Sequence, residues 1–308
     1  MERRLDEWHQ LLRSICTSPA VRRKPSLQEV LRLADEPLAV EERLGLREQR
    51  EPCKRLLHGL VALACGTLQH VKRCYIGGAF GRKTALNYCV EADLVIFLED
   101  FQCSRSRRYQ AQVFDGLEKL FYRGRVELHG ESPSCLKIAA GQFVLLDLHM
   151  TGEAPEVVPA EEERRYYGAA ELARVDEELL AFGSRHAEFV ALVLLGKHWR
   201  ALDARAQALS SYHLELLCKE LIERSDLDTL RDLFWKFLKR LAYSEDRLWA
   251  RNPNRFRCDL QISKNARGPL AAYAAETLRD YQRHIRQQNT SACPSCGHRF
   301  HPRSVRPL

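Results

Sequence analysis

Gly77-Gly78-Ala79-Phe80-Gly-Arg-Lys-Thr-Ala-Leu-Asn-Tyr-Cys-Val-Glu91-Ala-Asp93-Leu-Val-Ile-Phe97 is the stretch whose reading decides the fold. Its second half, Ala92 to Leu98, has the β-branched and aromatic content of a strand. Side chains alternate faces along a strand, so Glu91 and Asp93 project on the same side, a few ångströms apart. Two carboxylates that close repel one another, and one is driven to protonate unless a cation sits between them. Magnesium takes a small number of carboxylates together with phosphate oxygens, which is what such a pair offers.

Downstream, Leu145-Leu-Asp147-Leu places a third acid in an apolar strand, where an unpaired carboxylate is costly. Pairing the two strands side by side brings Asp147 to the same cluster. Three carboxylates around two magnesium ions can hold a triphosphate, activate an acceptor hydroxyl and stabilise the leaving pyrophosphate. The plainer alternative is a solvated strand edge with Asp147 paired to a lysine. The glycine pair at a fixed distance upstream weighs against it.

Helical periodicity marks residues 4–16, and Ser26-Leu-Gln-Glu29 is a capping box opening a second helix. A long helix is expected over 52–72 and another over 108–122, with strands near 125–128, 135–139 and 142–150. The Pro-, Gly- and Glu-rich stretch 151–159 marks a boundary, and almost all of 160–286 reads as helix. The expected plan is α+β and two-lobed, with a cleft between lobes: residues 1–155 as N-terminal helices and catalytic lobe, 156–288 as helical lobe, and 289–308 as a basic tail.

Composition is that of a globular chain, 45% apolar and 29% charged over 308 residues, with a formal charge of +7 that leans toward polyanionic partners. No apolar run approaches the roughly 20 residues of a membrane span, and the charged start lacks a secretory apolar core. The expectation is a cytoplasmic protein, with the nucleus as a second location and no membrane partner. The 11 cysteines then read as reduced thiols rather than a disulfide framework.

The stretch 77–97 resembles the signature of the oligoadenylate synthetase family and of the related cyclic GMP–AMP synthases and cGAS-like receptors. In that family a Gly-Gly-Ser-Ser loop leads at equal length into an acid–x–Asp strand. The resemblance continues through Asp147, Leu195-Gly-Lys197-His-Trp199 and Ser210-Ser211-Tyr212-His-Leu-Glu-Leu-Leu217, and covers most of the chain from about residue 50. It implies a DNA polymerase beta-like nucleotidyltransferase fold. Glu91, Asp93 and Asp147 match the magnesium-binding triad, and Gly77 and Gly78 match the turn whose backbone N–H groups approach the phosphates. Lys197 matches a triphosphate-binding lysine, Tyr212 a base-stacking tyrosine, and Ser211 the place of an amide side chain. The implied substrates are ATP and, second, GTP. The implied products are 2′–5′ oligoadenylates or cyclic dinucleotides, second messengers of innate immunity. One departure stands out: Ala79 replaces a phosphate-binding serine and bulky Phe80 follows it. A hydrogen bond to a charged group is worth roughly 1.5–3 kcal/mol, so the reaction should be slowed rather than abolished.

The resemblance further implies activation by a nucleic acid, double-stranded RNA ahead of DNA, on the face opposite the acids. Arg22, Arg23, Lys24, Lys54, Arg55, Arg82, Lys83 and Arg200 are the candidate contacts, joined by Arg50, Lys72 and Arg73. In the tail, Cys293-Pro-Ser-Cys296-Gly-His298-Arg-Phe-His301 has one zinc-ribbon knuckle, with a free basic tail as the alternative. Two other functions use the same residues: a double-stranded RNA-binding protein that has lost the chemistry, and a tailing enzyme of the poly(A) polymerase kind.

Overall fold

The computed structural model describes residues 10–11, 24–33, 36–46, 50–121, 126–132, 135–140, 144–225, 228–243, 248–257 and 259–290. The helix expected over 4–16 and the Cys/His tail lie outside the described residues, apart from Gln10, Leu11, Asn289 and Thr290.

The chain opens with α1 (Leu27–Leu33), α2 (Pro37–Leu44) and α3 (Arg50–Thr67). The capping box forms: Ser26 N–H donates to Glu29 Oε2 at 2.7 Å, and Glu29 N–H donates back to Ser26 Oγ at 3.3 Å. Helix α3 ends five residues before the expected Lys72, because His70 turns the chain with φ of 57° and β1 (Val71–Gly77) begins at once. One helical turn, Gly78–Gly81, leads to β2 (Val90–Leu98), and α4 (Ser106–Phe121) follows. Next come β3 (Val126–Ser132), β4 (Cys135–Ala140) and β5 (Val144–Thr151).

These strands form one five-stranded mixed sheet in the order β1-β2-β5-β4-β3, with β2 and β5 parallel and the other pairs antiparallel. One face carries Ala92, Leu94, Ile96, Leu146, Leu148, Met150, Leu136 and Ile138, packed against Leu56, Leu57 and Leu60 of α3 and Val113 and Leu117 of α4. On the other face β2 changes character along its length. Val95 and Phe97 are covered by Ala169, Ala170 and Leu172, whereas Glu91 and Asp93 stay partly open. Period-two alternation therefore gives this strand an apolar side and a side that is acidic only where the cover ends.

From Glu161 the chain is mostly helical: α5 (Glu161–Tyr167), α6 (Leu172–Arg185), α7 (Ala187–Leu202), α8 (Ser211–Glu223), α9 (Leu230–Tyr243) and α10 (Lys264–Thr290). The exception to the mostly helical expectation is a short two-stranded ribbon, β6 (Trp249–Ala250) with β7 (Leu260–Gln261). Helix α7 is the axis of this half. Residues 191–199 are all buried, and Trp199 stacks on Tyr273 at 4.7 Å while its indole N–H donates to Thr277 at 2.9 Å. A helix apolar on all sides has to be surrounded. Part of the surrounding comes from Val40 and Leu44 of α2, so these early residues, grouped by sequence with the catalytic lobe, pack into the helical core. Among the described residues no single helix is long and apolar enough to cross a membrane.

Candidate active site

Strand pairing assembles the three acids. Asp93 on β2 is the direct partner of Asp147 on the parallel strand β5, and Glu91 precedes Asp93 by two residues on the same face. Each acid has a different setting. Glu91 is held by Arg200, whose Nη2 lies 3.3 Å from Oε1, and by the Ser211 hydroxyl, which donates to Oε2. Asp93 faces the His149 ring, with Nε2 3.5 Å from Oδ1. Burial alone would raise the Asp93 pKa, but the His149 hydrogen bond and charge, with Arg82 and Arg257, hold it below the usual carboxylate value. Asp147 goes the other way. Burial first, and then the Asp93 charge beside it, push its pKa up. His149 would be depressed by burial, yet its bonds to Asp93 and Cys135 push its pKa up.

This donor set fits magnesium. All three groups offer hard oxygens from one sheet face, with Asp93 and Asp147 directly opposite one another on adjacent strands.

The glycine turn lies directly beside this cluster, since Gly77 at the end of β1 pairs with Asp93. Gly78 has φ of +68°, and a Cβ there would stand 2.5 Å from Asp93 Oδ2 and 2.8 Å from its backbone nitrogen. Only glycine lets the turn come so close. The Gly78 N–H, which the family resemblance gives to phosphate, donates to Asp176 Oδ2 at 2.9 Å, and the Tyr75 hydroxyl donates to the same oxygen at 3.0 Å. Ala79 and Phe80 point inward and are each 4% exposed, so the position of the missing serine belongs to the sheet's core.

Two residues expected at ligands are engaged in buried ion pairs. Lys197, expected at the triphosphate, is 2% exposed. Its ammonium donates to Glu215 Oε1 at 2.6 Å and to both oxygens of Thr84 at 3.1 Å. Arg82, expected on the nucleic-acid face, is also buried. Its guanidinium bridges Asp176 and Glu215, tying the glycine turn to α6 and α8. Burial opposes the charge on Glu215, but Arg82 and Lys197 overcome it and pull its pKa down to about 2. A cation without its counter-ion is very costly in a dry interior, which is why these charges are committed to one another.

Arg200 also leaves the basic set, because it sits at Glu91. Lys72 and Arg73 both pair with Glu153 at 3.4 and 2.9 Å, and Arg50 lies over the Phe80 ring. Lys24, Lys54, Arg55 and Lys83 are exposed; Arg22 and Arg23 lie outside the described residues. Tyr212 is partly buried, donates its hydroxyl to Asn252 Oδ1 at 2.9 Å and has the Arg82 guanidinium over its ring at 5.9 Å. Cys293, Cys296, His298 and His301 lie outside the described residues. Sequence reasoning missed His149, Asp176 and Thr84 altogether. His149 could have been found, since it lies two residues beyond Asp147 on the same strand face.

Solved structures share this architecture. A chain of the CdnC:HORMA-deltaN complex of E. coli MS115-1 superposes with a TM-score of 0.60 at 12% identity, covering 82% of this chain and 91% of its own. The STING-associated CdnE c-di-GMP synthase of Capnocytophaga granulosa gives 0.56 at 12% identity, covering 90% and 99%. Terminal uridylyl transferase 4 of Trypanosoma brucei, solved with dUTP, gives 0.56 at 12% identity, covering 83% and 99%. The fold is the one that these synthase and transferase structures share. At such identities the likeness is one of fold. No protein-family model matches the chain, and no curated protein matches its sequence.

Proposed function

We propose that this protein is a magnesium-dependent, template-independent nucleotidyltransferase. It takes ATP, with GTP as a second substrate, and releases a small nucleotide messenger, a 2′–5′ oligoadenylate or a cyclic dinucleotide. The observation that carries this reading is the register of β2 and β5, which sets Asp93 against Asp147 with Glu91 on the same face. Solved structures of this fold include E. coli MS115-1 CdnC with ATP and the uridylyl transferase with dUTP, which supports a nucleoside triphosphate in the cleft.

Glu91, Asp93 and Asp147 would hold the magnesium, which supplies charge neutralisation on the triphosphate. The chain's own work is positioning. Arg200 and Ser211 fix the Glu91 carboxylate, and the His149 ring orients Asp93. Asp147 would also help to take the proton of the attacking ribose hydroxyl as it closes on the α-phosphorus and pyrophosphate leaves. Tyr212 would stack the base.

Activation by double-stranded RNA belongs to the same proposal and rests on exposed Lys24, Lys54, Arg55 and Lys83. The Gly78 N–H must leave Asp176 to meet a phosphate, and a ligand that shifts the turn would achieve this. Purified protein mixed with ATP, GTP and magnesium, alone or with long double-stranded RNA or DNA, tests the reading by anion-exchange chromatography. New phosphatase-resistant small products support it. Label transferred to the end of an added RNA replaces it with a tailing enzyme, and tight RNA binding without product replaces it with a binding protein.

A further inference from the structure

The sheet face that carries the acids continues onto β4 with a different chemistry. Cys135 is the antiparallel partner of His149, and Asp147 precedes His149 by two residues, so the three side chains rise together from neighbouring strands. Their ligand atoms all lie within 4.8 Å of one another. Cys135 and His149 are each 7% exposed, while Asp147 is half-buried. Tetrahedral zinc with sulfur, nitrogen and oxygen ligands separates those atoms by roughly 3.3–3.6 Å, a difference that side-chain torsions can close. A thiolate, an imidazole and one carboxylate are a poor set for magnesium and a good one for softer ions.

We propose that Cys135, His149 and Asp147 form a binding site for a thiophilic divalent cation of the zinc class, with water in the fourth position. Binding displaces the thiol proton of Cys135 to solvent, and His149 coordinates as the neutral imidazole, as ligand atoms must be deprotonated. Asp147 is common to this site and to the magnesium set, and His149 leaves Asp93 when it turns to the metal. On the nucleotidyltransferase reading, zinc occupancy and magnesium-supported transfer therefore exclude one another. Cys293 and Cys296 are a second candidate for the same ion and have to be silenced in the test.

The full-length chain carrying Cys293→Ser and Cys296→Ser is stripped of metal and titrated with cobalt and then zinc, with melting followed in parallel. The expected result is one equivalent bound, with a thiolate-to-cobalt charge-transfer band that zinc abolishes. Adding Cys135→Ser should remove the band and weaken zinc by at least about 100-fold, the upper end of what losing a partner of a metal ligand costs. His149→Gln is the second variant, used where Cys135→Ser lowers the melting temperature. A missing band in the tail variant, or a band that persists in folded Cys135→Ser and His149→Gln proteins, overturns the site. A band lost with Cys135 in a protein that makes no nucleotide product leaves the site standing and fells the functional reading instead.

Discussion

Two clusters of charge lie on either side of the glycine turn, and they are built on opposite plans. On the sheet face, Glu91, Asp93 and Asp147 crowd together partly open to the cleft, and Asp147 is left with a raised pKa. Behind the turn, Arg82, Lys197, Asp176 and Glu215 are 5% exposed or less, with the two cations shared between the two acids. The buried set is balanced and dry, as a structural clasp between the sheet and α6, α7 and α8 has to be. The open set crowds three acids together, which is what the proposed cation site requires. Substitutions should therefore separate cleanly, costing stability in one cluster and chemistry in the other.

The largest effect on stability is expected at the clasp. Glu215→Ala leaves Arg82 and Lys197 without their shared carboxylate, which should cost about 3–5 kcal/mol and lower the melting temperature by about 10 °C. Differential scanning calorimetry reads this directly, and an unchanged Tm would dissolve the contrast between the clusters.

Acid sensitivity comes next. Burial lowers His198 and His213 to about 4, so both are neutral in the fold and take up protons on unfolding. Between their unfolded value near 6.5 and about 4, the unfolded state binds more protons. Stability is thus full above about pH 6.5 and falls as pH drops, by up to about 3 kcal/mol for each ring. His213→Leu should remove its share of the slope, since the ring Nε2 has no hydrogen-bond partner. Melts between neutral and mildly acid pH check this.

A smaller cost is expected at the turn itself. Gly78→Ala forces a side chain into a positive φ and against the Asp93 carboxylate, for about 1–3 kcal/mol of stability, and pyrophosphate release should fall along with it. The smallest effect belongs to the surface. Lys54→Ala with Arg55→Ala should leave melting untouched and reduce the salt dependence of RNA binding by about one unit of slope per phosphate contact, as fluorescence anisotropy across a salt series will read.

The sheet and its acids were legible in the sequence because their signals are local. Period-two alternation fixes which way Glu91 and Asp93 point, and the apolar neighbours of Asp147 announce a strand. The clasp was not legible, because Arg82 meets Asp176 and Glu215 across 94 and 133 residues of chain. A lone arginine in a basic loop or a lysine on an apolar helix reads as a surface or ligand contact until its distant counter-ion is known. Arg200 was misplaced for the same reason, as its partner Glu91 is 109 residues away. Residues 27–44 likewise show nothing local to say that they complete the helical core.

The most direct test of the account is Asp147→Asn, scored together for pyrophosphate release from ATP with magnesium and for thermal melting. The account predicts that release falls by about three orders of magnitude, the several kcal/mol a held metal contributes. It also predicts that Tm is unchanged or raised, because the substitution relieves repulsion against Asp93. Release that persists would contradict it, and so would a fall in Tm as large as that of Glu215→Ala.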